Sequence, residues 1–312
     1  MDTTEAASFG DIIGALGQGI VWVLQNLALS FYNFGYAVTH PASWLDWTDK
    51  AAIMRVVYYG ASVEFFFVCV MVFLVIFAIG LWKRRFLWGT VVVLEGFANT
   101  IGRLFAWAGL LMVLQQVIIV FLQRIFARPD IVLGFGIPLQ FDISWWSEEL
   151  KLYNAMVVCL CLTYTFVQRG HVRVDLVYAA VSYRTKRIID MLGSLFFMIP
   201  MAVMIWMFSW YFMWRSLIVP PVAPTDALDR LEMKARALRW NVETVGFSAN
   251  GFTGYFLFKM LMVIMVGLIF VQAWAFFYRS YLEFVEGPEA EGKLLDLDQV
   301  ETGEEPYDHA EF

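Results

Sequence analysis

The chain has 312 residues, of which 60 % are apolar, 18 % aromatic and only 16 % charged. Soluble domains carry roughly 25 % charged residues, and a soluble globule cannot hide this much apolar surface. The composition excludes a water-soluble enzyme, a nucleic-acid binder and a disordered chain, and predicts an all-α integral membrane protein. The net charge of −6 is uneven: from Glu283 onward there are 11 acids and one Lys, while residues 1–282 carry 17 acids and 21 bases. The acidity therefore belongs to the tail.

The N-terminal residues 1–11 hold Asp2, Glu5 and Asp11 and no base, so no secretory signal is read there. Six apolar stretches follow, at about 12–38, 53–82, 100–126, 150–168, 188–219 and 252–278. Each is long enough to cross a hydrocarbon core of ~30 Å as a helix. The first is the least apolar. It contains Gln18, Gln25, Asn26 and Asn33 and four Gly between 10 and 19, and an interfacial amphipathic helix is its other reading.

Within the second stretch Glu64 is the only acid inside an apolar run, which makes it either a structural partner for Arg55 or a neighbouring polar group, or a proton or ion site. Lys83, Arg84 and Arg85 then form a short basic connection. In the third stretch Gln115 and Gln116 are candidates for hydrogen bonds across a helix interface, and Gly102 with Ala106 forms a small-xxx-small pair. Trp145 and Trp146 fit an interfacial position. Ser147 reads as the N-cap of the fourth helix, with Glu148 and Glu149 in its first turn.

The string Arg169-Gly170-His171-Val172-Arg173-Val174-Asp175 is a short basic connection after that helix. With Arg184, Lys186 and Arg187 it predicts a basic surface toward anionic lipid headgroups or a docked protein. If all six stretches cross, the basic connections share one side. The positive-inside rule makes that side, and both termini, cytoplasmic. Pro200 is expected to kink the fifth helix. Residues 220–250 predict an amphipathic helix with Leu228, Leu231, Ala235 and Leu238 on one face. The Pro-containing acidic tail, 283–312, is expected to be disordered. No nucleotide loop, hydrolase motif or metal-ligand set occurs, and the 3 Cys make no disulfide framework. The 3 His, at 40, 171 and 309, all lie outside long apolar runs, which disfavours a haem-binding redox subunit.

From about Gly102 to Tyr278 the chain resembles the small permease subunit of tripartite ATP-independent periplasmic (TRAP) transporters. The resemblance is carried by Leu104–Phe126 with Arg124, by Trp146 followed by Glu148-Glu149-Leu150, and by the string QRGHVRVDL from Gln168 to Leu176. Arg184, Lys186 and Arg187, and the last helix with Gln272, complete it. It implies a four-helix core at 96–282 preceded by an extension, 1–95, with two further helices. It further implies a non-catalytic scaffold of the bacterial inner membrane that braces a large permease subunit for sodium-coupled uptake of organic acids. A periplasmic substrate-binding protein is then another partner, and no cofactor is needed. Trp145, Trp146, Glu148, Glu149, Arg169, His171, Arg173, Asp175, Arg184, Lys186 and Arg187 become partner or lipid contacts. The alternative is a self-sufficient secondary carrier or channel using Glu64.

Overall fold

The computed structural model describes residues 9–134, 138–168, 178, 181–245 and 251–298. The signature string beyond Gln168 (Arg169, His171, Arg173 and Asp175 included) lies outside the described residues. Five helical segments are long and apolar enough to cross a membrane: Val63–Trp82, Arg84–Ile125, Ile143–Val167, Tyr183–Leu217 and Phe256–Glu286. The first apolar stretch is helical too, but falls outside that group.

The chain divides into two units. The first comprises residues 1–78 and 225–238. It opens with α1 (Phe9–Thr39), a 31-residue helix, followed by the short α2 (Ala42–Leu45) and α3 (Lys50–Tyr59). Asp49 caps α3 by accepting a hydrogen bond from the Ala51 amide at 3.0 Å. The stretch 53–82 is expected as one span, yet it breaks at Gly60–Ser62, and α4 (Val63–Trp82) starts afresh. The Ser62 hydroxyl accepts from the Phe65 amide at 3.1 Å, which serves the new helix start.

Glu64 therefore lies in the first turn of α4, exposed, and not deep in a span. The helix dipole favours a carboxylate there. The amphipathic segment forms as α9 (Leu228–Ala235), with Leu231 and Ala235 buried and Leu238 beyond them. It packs on α3, so it belongs with the N-terminal residues and not with the expected 96–282 core. Arg55 of α3 meets Glu232 of α9 at 3.0 Å, and Asp226 takes Lys234 at 2.6 Å.

The second unit comprises residues 79–224 and 239–312. Its first helix, α5 (Arg84–Val120), continues through a π-helical turn, Phe121–Ile125. Arg84 and Arg85, expected in a connection, form its first turn. A hairpin, β1 (Asp130–Gly134) with β2 (Pro138–Asp142), pairs antiparallel in a register that sets Asp130 opposite Asp142. Then come α6 (Ile143–Val167) and α7 (Tyr183–Gly193). A second π-helical turn, Ser194–Met198, leads into α8 (Ile199–Leu217). The ladder thus changes register just before Pro200, the residue that cannot donate to it. The two-residue strands β3 (Ile218–Val219) and β4 (Arg239–Trp240) pair antiparallel.

The last helix, α10 (Phe256–Glu286), is the hub: it packs against α5, α6, α7 and α8. Val266, Ala273, Ala275, Tyr278 and Leu282 are wholly buried along it. Its span is 44 % buried, against 11–28 % for the other four spanning segments. Gly287, at φ 90°, stops it by adopting a conformation that favours glycine, and its amide returns to the Glu283 carbonyl at 3.0 Å.

The helices α5 and α6 approach closely at Gly102. A Cβ added at Gly102 would stand 2.1 Å from the Tyr164 Cβ. Ala106, the expected partner of Gly102 in a small-residue pair, is exposed; Ala98, one turn the other way, is buried instead.

Candidate functional site: a buried ionic cluster under a C-terminal strap

The last turns of α10 carry Arg279 and Glu283, which the hydrophobic pattern places a turn beyond the expected end of the span. Arg279 donates Nε to Glu95 Oε1 at 2.6 Å and Nη2 to Glu95 Oε2 at 2.5 Å, a bidentate pair between α10 and α5. Its third nitrogen, Nη1, donates to the Lys293 carbonyl at 3.0 Å.

From α7, Arg187 places Nε 3.0 Å from Glu283 Oε2. Its Nη1 donates to Asp190 at 3.2 Å and its Nη2 to Glu291 at 2.6 Å. Glu95, Arg187, Asp190, Arg279 and Glu283 are all at least nine-tenths buried. Expected on a headgroup-facing surface, Arg187 is instead the bond between α7, α10 and the segment after it. Sequence pattern gives no sign of this, because the partners across elements, Glu283 and Glu291, lie about a hundred positions away and only Asp190 is local.

Lys186 sits 5.3 Å over the Tyr178 ring, and the Tyr178 hydroxyl donates to Asp190 at 2.8 Å. Arg184 is exposed, as a lipid- or partner-facing residue requires. Trp88 of α5 is buried and donates Nε1 to Glu286 at 2.9 Å.

The segment after α10 is expected within a disordered tail, yet over 287–298 it folds back as a strap. Arg103 of α5 grips it with both edges of its guanidinium: Nη1 to Asp296 at 2.9 Å, and Nε and Nη2 to Asp298 at 2.9 and 2.6 Å. Asn99 donates to the Asp296 carbonyl at 2.8 Å. Gln168 donates to that carbonyl at 2.9 Å and accepts from the Asp298 amide at 3.0 Å. The Tyr164 hydroxyl also donates to Asp298. The Arg103 guanidinium, helped by Asn99, holds the Asp296 carboxyl below the usual carboxylate range. Gln168, first residue of the signature string, is thus a strap contact that sequence reasoning did not single out.

Cluster and strap enclose a cavity of ≈ 180 Å³, lined among others by Glu95, Gln272, Arg279, Ser280, Glu283 and Glu291. Gln272 Oε1 and Ser280 Oγ are buried without a protein partner, the situation in which ordered water serves a polar cavity. The two guanidiniums face four carboxylates (Glu95, Asp190, Glu283, Glu291); Arg187 Nε, 3.0 Å from Glu283, is buried without a protein hydrogen bond. This arrangement ties α5, α7 and α10 to one another, each guanidinium facing carboxylates.

At the other end of these helices stand the remaining candidates. Gln115 donates Nε2 to the Trp146 carbonyl and to Glu149 Oε2, both at 3.1 Å, as an interhelical polar contact should. Gln116, one position on, is exposed. Glu148 Oε2 accepts from the Phe252 amide at 2.9 Å and the Tyr255 hydroxyl at 3.3 Å. Trp145 lies edge-on to Phe252, ring centroids 5.2 Å apart, in an apolar cluster with Leu152, Leu261 and Leu268.

Trp145, Trp146, Glu148 and Glu149 thus make contacts within the chain. Ser147 is not the cap expected of it: Asp142 caps α6, accepting from the Ser144 amide at 2.9 Å. The turn of helix between them sets both glutamates on the α5- and α10-facing side. Among the described residues no group of three or more His, Cys, Asp or Glu is placed to hold a metal ion. No protein-family model matches the chain, and neither a curated protein nor a solved structure is similar to it.

Proposed function

We propose that this chain is a scaffold subunit of a TRAP-type uptake system, bracing a large permease subunit in the bacterial inner membrane with both termini cytoplasmic. One observation supports the reading above others. Glu95, Arg187, Asp190, Arg279 and Glu283 of the second unit's helices are tied to one another, while the spans keep long apolar faces bare. Leu104, Trp107, Leu111 and Leu114 of α5, and Met201, Met204 and Phe208 of α8, are examples. Such helices present surface for lipid and for a companion membrane protein. The carrier alternative rests on Glu64, which stands exposed in the first turn of α4, where the helix dipole favours a carboxylate.

In this reading the large subunit moves organic acid and sodium, and a periplasmic binding protein delivers the cargo. The test is to express the tagged chain with and without a TRAP large subunit from the same organism. Co-purification, with uptake lost on deletion of this chain, is the expected result. Recovery as a lone species, with uptake unchanged by the deletion, overturns the assignment. Flux through liposomes holding this chain alone overturns it as well.

A further inference from the structure

From Asn26 onward the helix α1 has two unlike sides; before it, residues 14–25 are exposed all round. Ser30 is wholly buried, and Leu27, Asn33 and Ala37 beside it are half-buried, so this side faces the chain's own unit. Trp22 reaches Phe67 of α4 from its edge, ring centroids 5.4 Å apart. On the opposite side run Gly14, Gln18, Val21, Gln25, Ala28, Tyr32 and Gly35, every one of them exposed. The spacing alternates four and three, a 3.5-residue repeat. At about 100° per residue these seven positions fall within an arc of roughly 100° centred opposite Ser30.

In heptad terms Gln18, Gln25 and Tyr32 share one core position, and Gly14, Val21, Ala28 and Gly35 share the other. One position is all hydrogen-bonding and the other all small or β-branched. A Cβ added at Gly14 or Gly35 would meet nothing within 4 Å. Gln18 and Gln25 have no hydrogen-bond partner among the described residues, and large apolar side chains such as Ile20, Leu24, Phe31 and Val38 flank the seam.

We infer that this seam pairs with the same seam of a second copy of the chain, as a parallel two-helix interface. The occupant follows from the pattern. In a parallel pair, like positions face each other. Gln18 then meets its own counterpart, and so does Gln25. An amide is both donor and acceptor, so each pair satisfies itself. The glycines and alanine opposite one another let the backbones approach closely enough for this. An antiparallel arrangement sets each Gln against Gly, Val or Ala and leaves the amides unserved. With α1 crossing the membrane, two copies of the chain inserted the same way hold it parallel, and the interface is isologous. The pairing is independent of the scaffold reading, since it needs no other subunit.

The experiment uses the full-length chain in native membranes, with Cys69, Cys159 and Cys161 replaced by Ser. Single substitutions Val21→Cys and Ala28→Cys sit in the seam; Phe31→Cys and Val38→Cys are exposed but off it. Mild oxidation of the seam variants gives a product of twice the 35.9 kDa chain mass, and the off-seam variants give far less. Adding Gln18→Leu and Gln25→Leu to Ala28→Cys lowers the yield about tenfold, with monomer abundance in the membrane as the control for insertion. Equal cross-linking at seam and off-seam positions, monomer alone, or a product of another mass marking a different chain, each overturns the proposal.

Discussion

Arg279 and Glu95 lie 184 positions apart, yet the guanidinium donates twice to the carboxylate, at 2.6 and 2.5 Å. Both side chains are buried, so neither can be left alone. Removing one partner of a buried pair costs about 3–5 kcal/mol, because the survivor remains desolvated, whereas replacing both with apolar groups is often neutral. Glu95→Gln is therefore expected to lower the thermal midpoint of the detergent-purified chain sharply. The double variant Glu95→Leu with Arg279→Met should recover most of the loss. A single variant as stable as the parent would contradict the role given to this pair.

The strap should let go in acid. Asp296 titrates below the ordinary carboxylate range because Arg103, then Asn99, stabilises its charged form. A depressed value means that the docked strap is fully favoured above an unfolded carboxyl pKa of about 4 and weakens as pH falls through the lowered one. A nitroxide on Leu297→Cys, an exposed strap position, is expected to stay restrained at neutral pH and to become mobile only once the pH falls below the ordinary carboxylate range. High salt should shift the release upward in pH, since these side chains are partly exposed. Mobility that changes first near neutral pH would point to a different group.

Gly102 leaves no room for a side chain against Tyr164. Gly102→Ala is expected to force α5 from α6 at a cost of roughly 1–3 kcal/mol, the usual price of overpacking. Tyr164→Ala should relieve the clash, and Ala106→Leu, on the exposed side, should be harmless. Thermal midpoints of the three variants decide it. If Ala106→Leu proves the damaging one, the register of α5 against α6 is wrong.

Adjacent glutamines should behave oppositely. Gln115→Leu removes two donated hydrogen bonds to α6 and is expected to cost about 0.6–2 kcal/mol. Gln116→Leu, at an exposed position, should leave stability unchanged or raise it. Steric-trap unfolding in bicelles resolves differences of this size. Equal effects from the two would remove the basis for choosing between them.

Much of the architecture was readable from the residues. Unbroken apolar runs announce spanning helices because lipid offers no hydrogen bonds to bare backbone, and five such helices are present. Leu228, Leu231, Ala235 and Leu238 announced α9 by their spacing, and Gln115 announced an interhelical contact. What escaped notice had physical reasons. Gly60–Ser62 breaks a helix without interrupting hydropathy. Arg84 and Arg85 look like a loop because charge resembles solvent exposure, although a helix tolerates both well.

The ionic cluster was invisible for another reason. Glu95, Arg187, Arg279 and Glu283 lie at the margins of apolar runs, where charge is ordinary, and only tertiary contact makes them partners. The strap was misread because its acids match the composition of disordered segments. Arg103, Asn99 and Gln168 supply what composition cannot reveal.

With its π-helical turn, α5 is one unbroken rod of 42 residues, about 63 Å at 1.5 Å per residue. That is twice the thickness of a hydrocarbon layer of ~30 Å. Such a mast must tilt steeply or stand proud of the bilayer. The Glu95 attachment lies toward its base, the Arg103 attachment near its middle and the Gln115 contact toward its top. A rod fastened at these heights behaves as a strut: it holds the distance between its fastenings constant and carries a load from one to the other without bending.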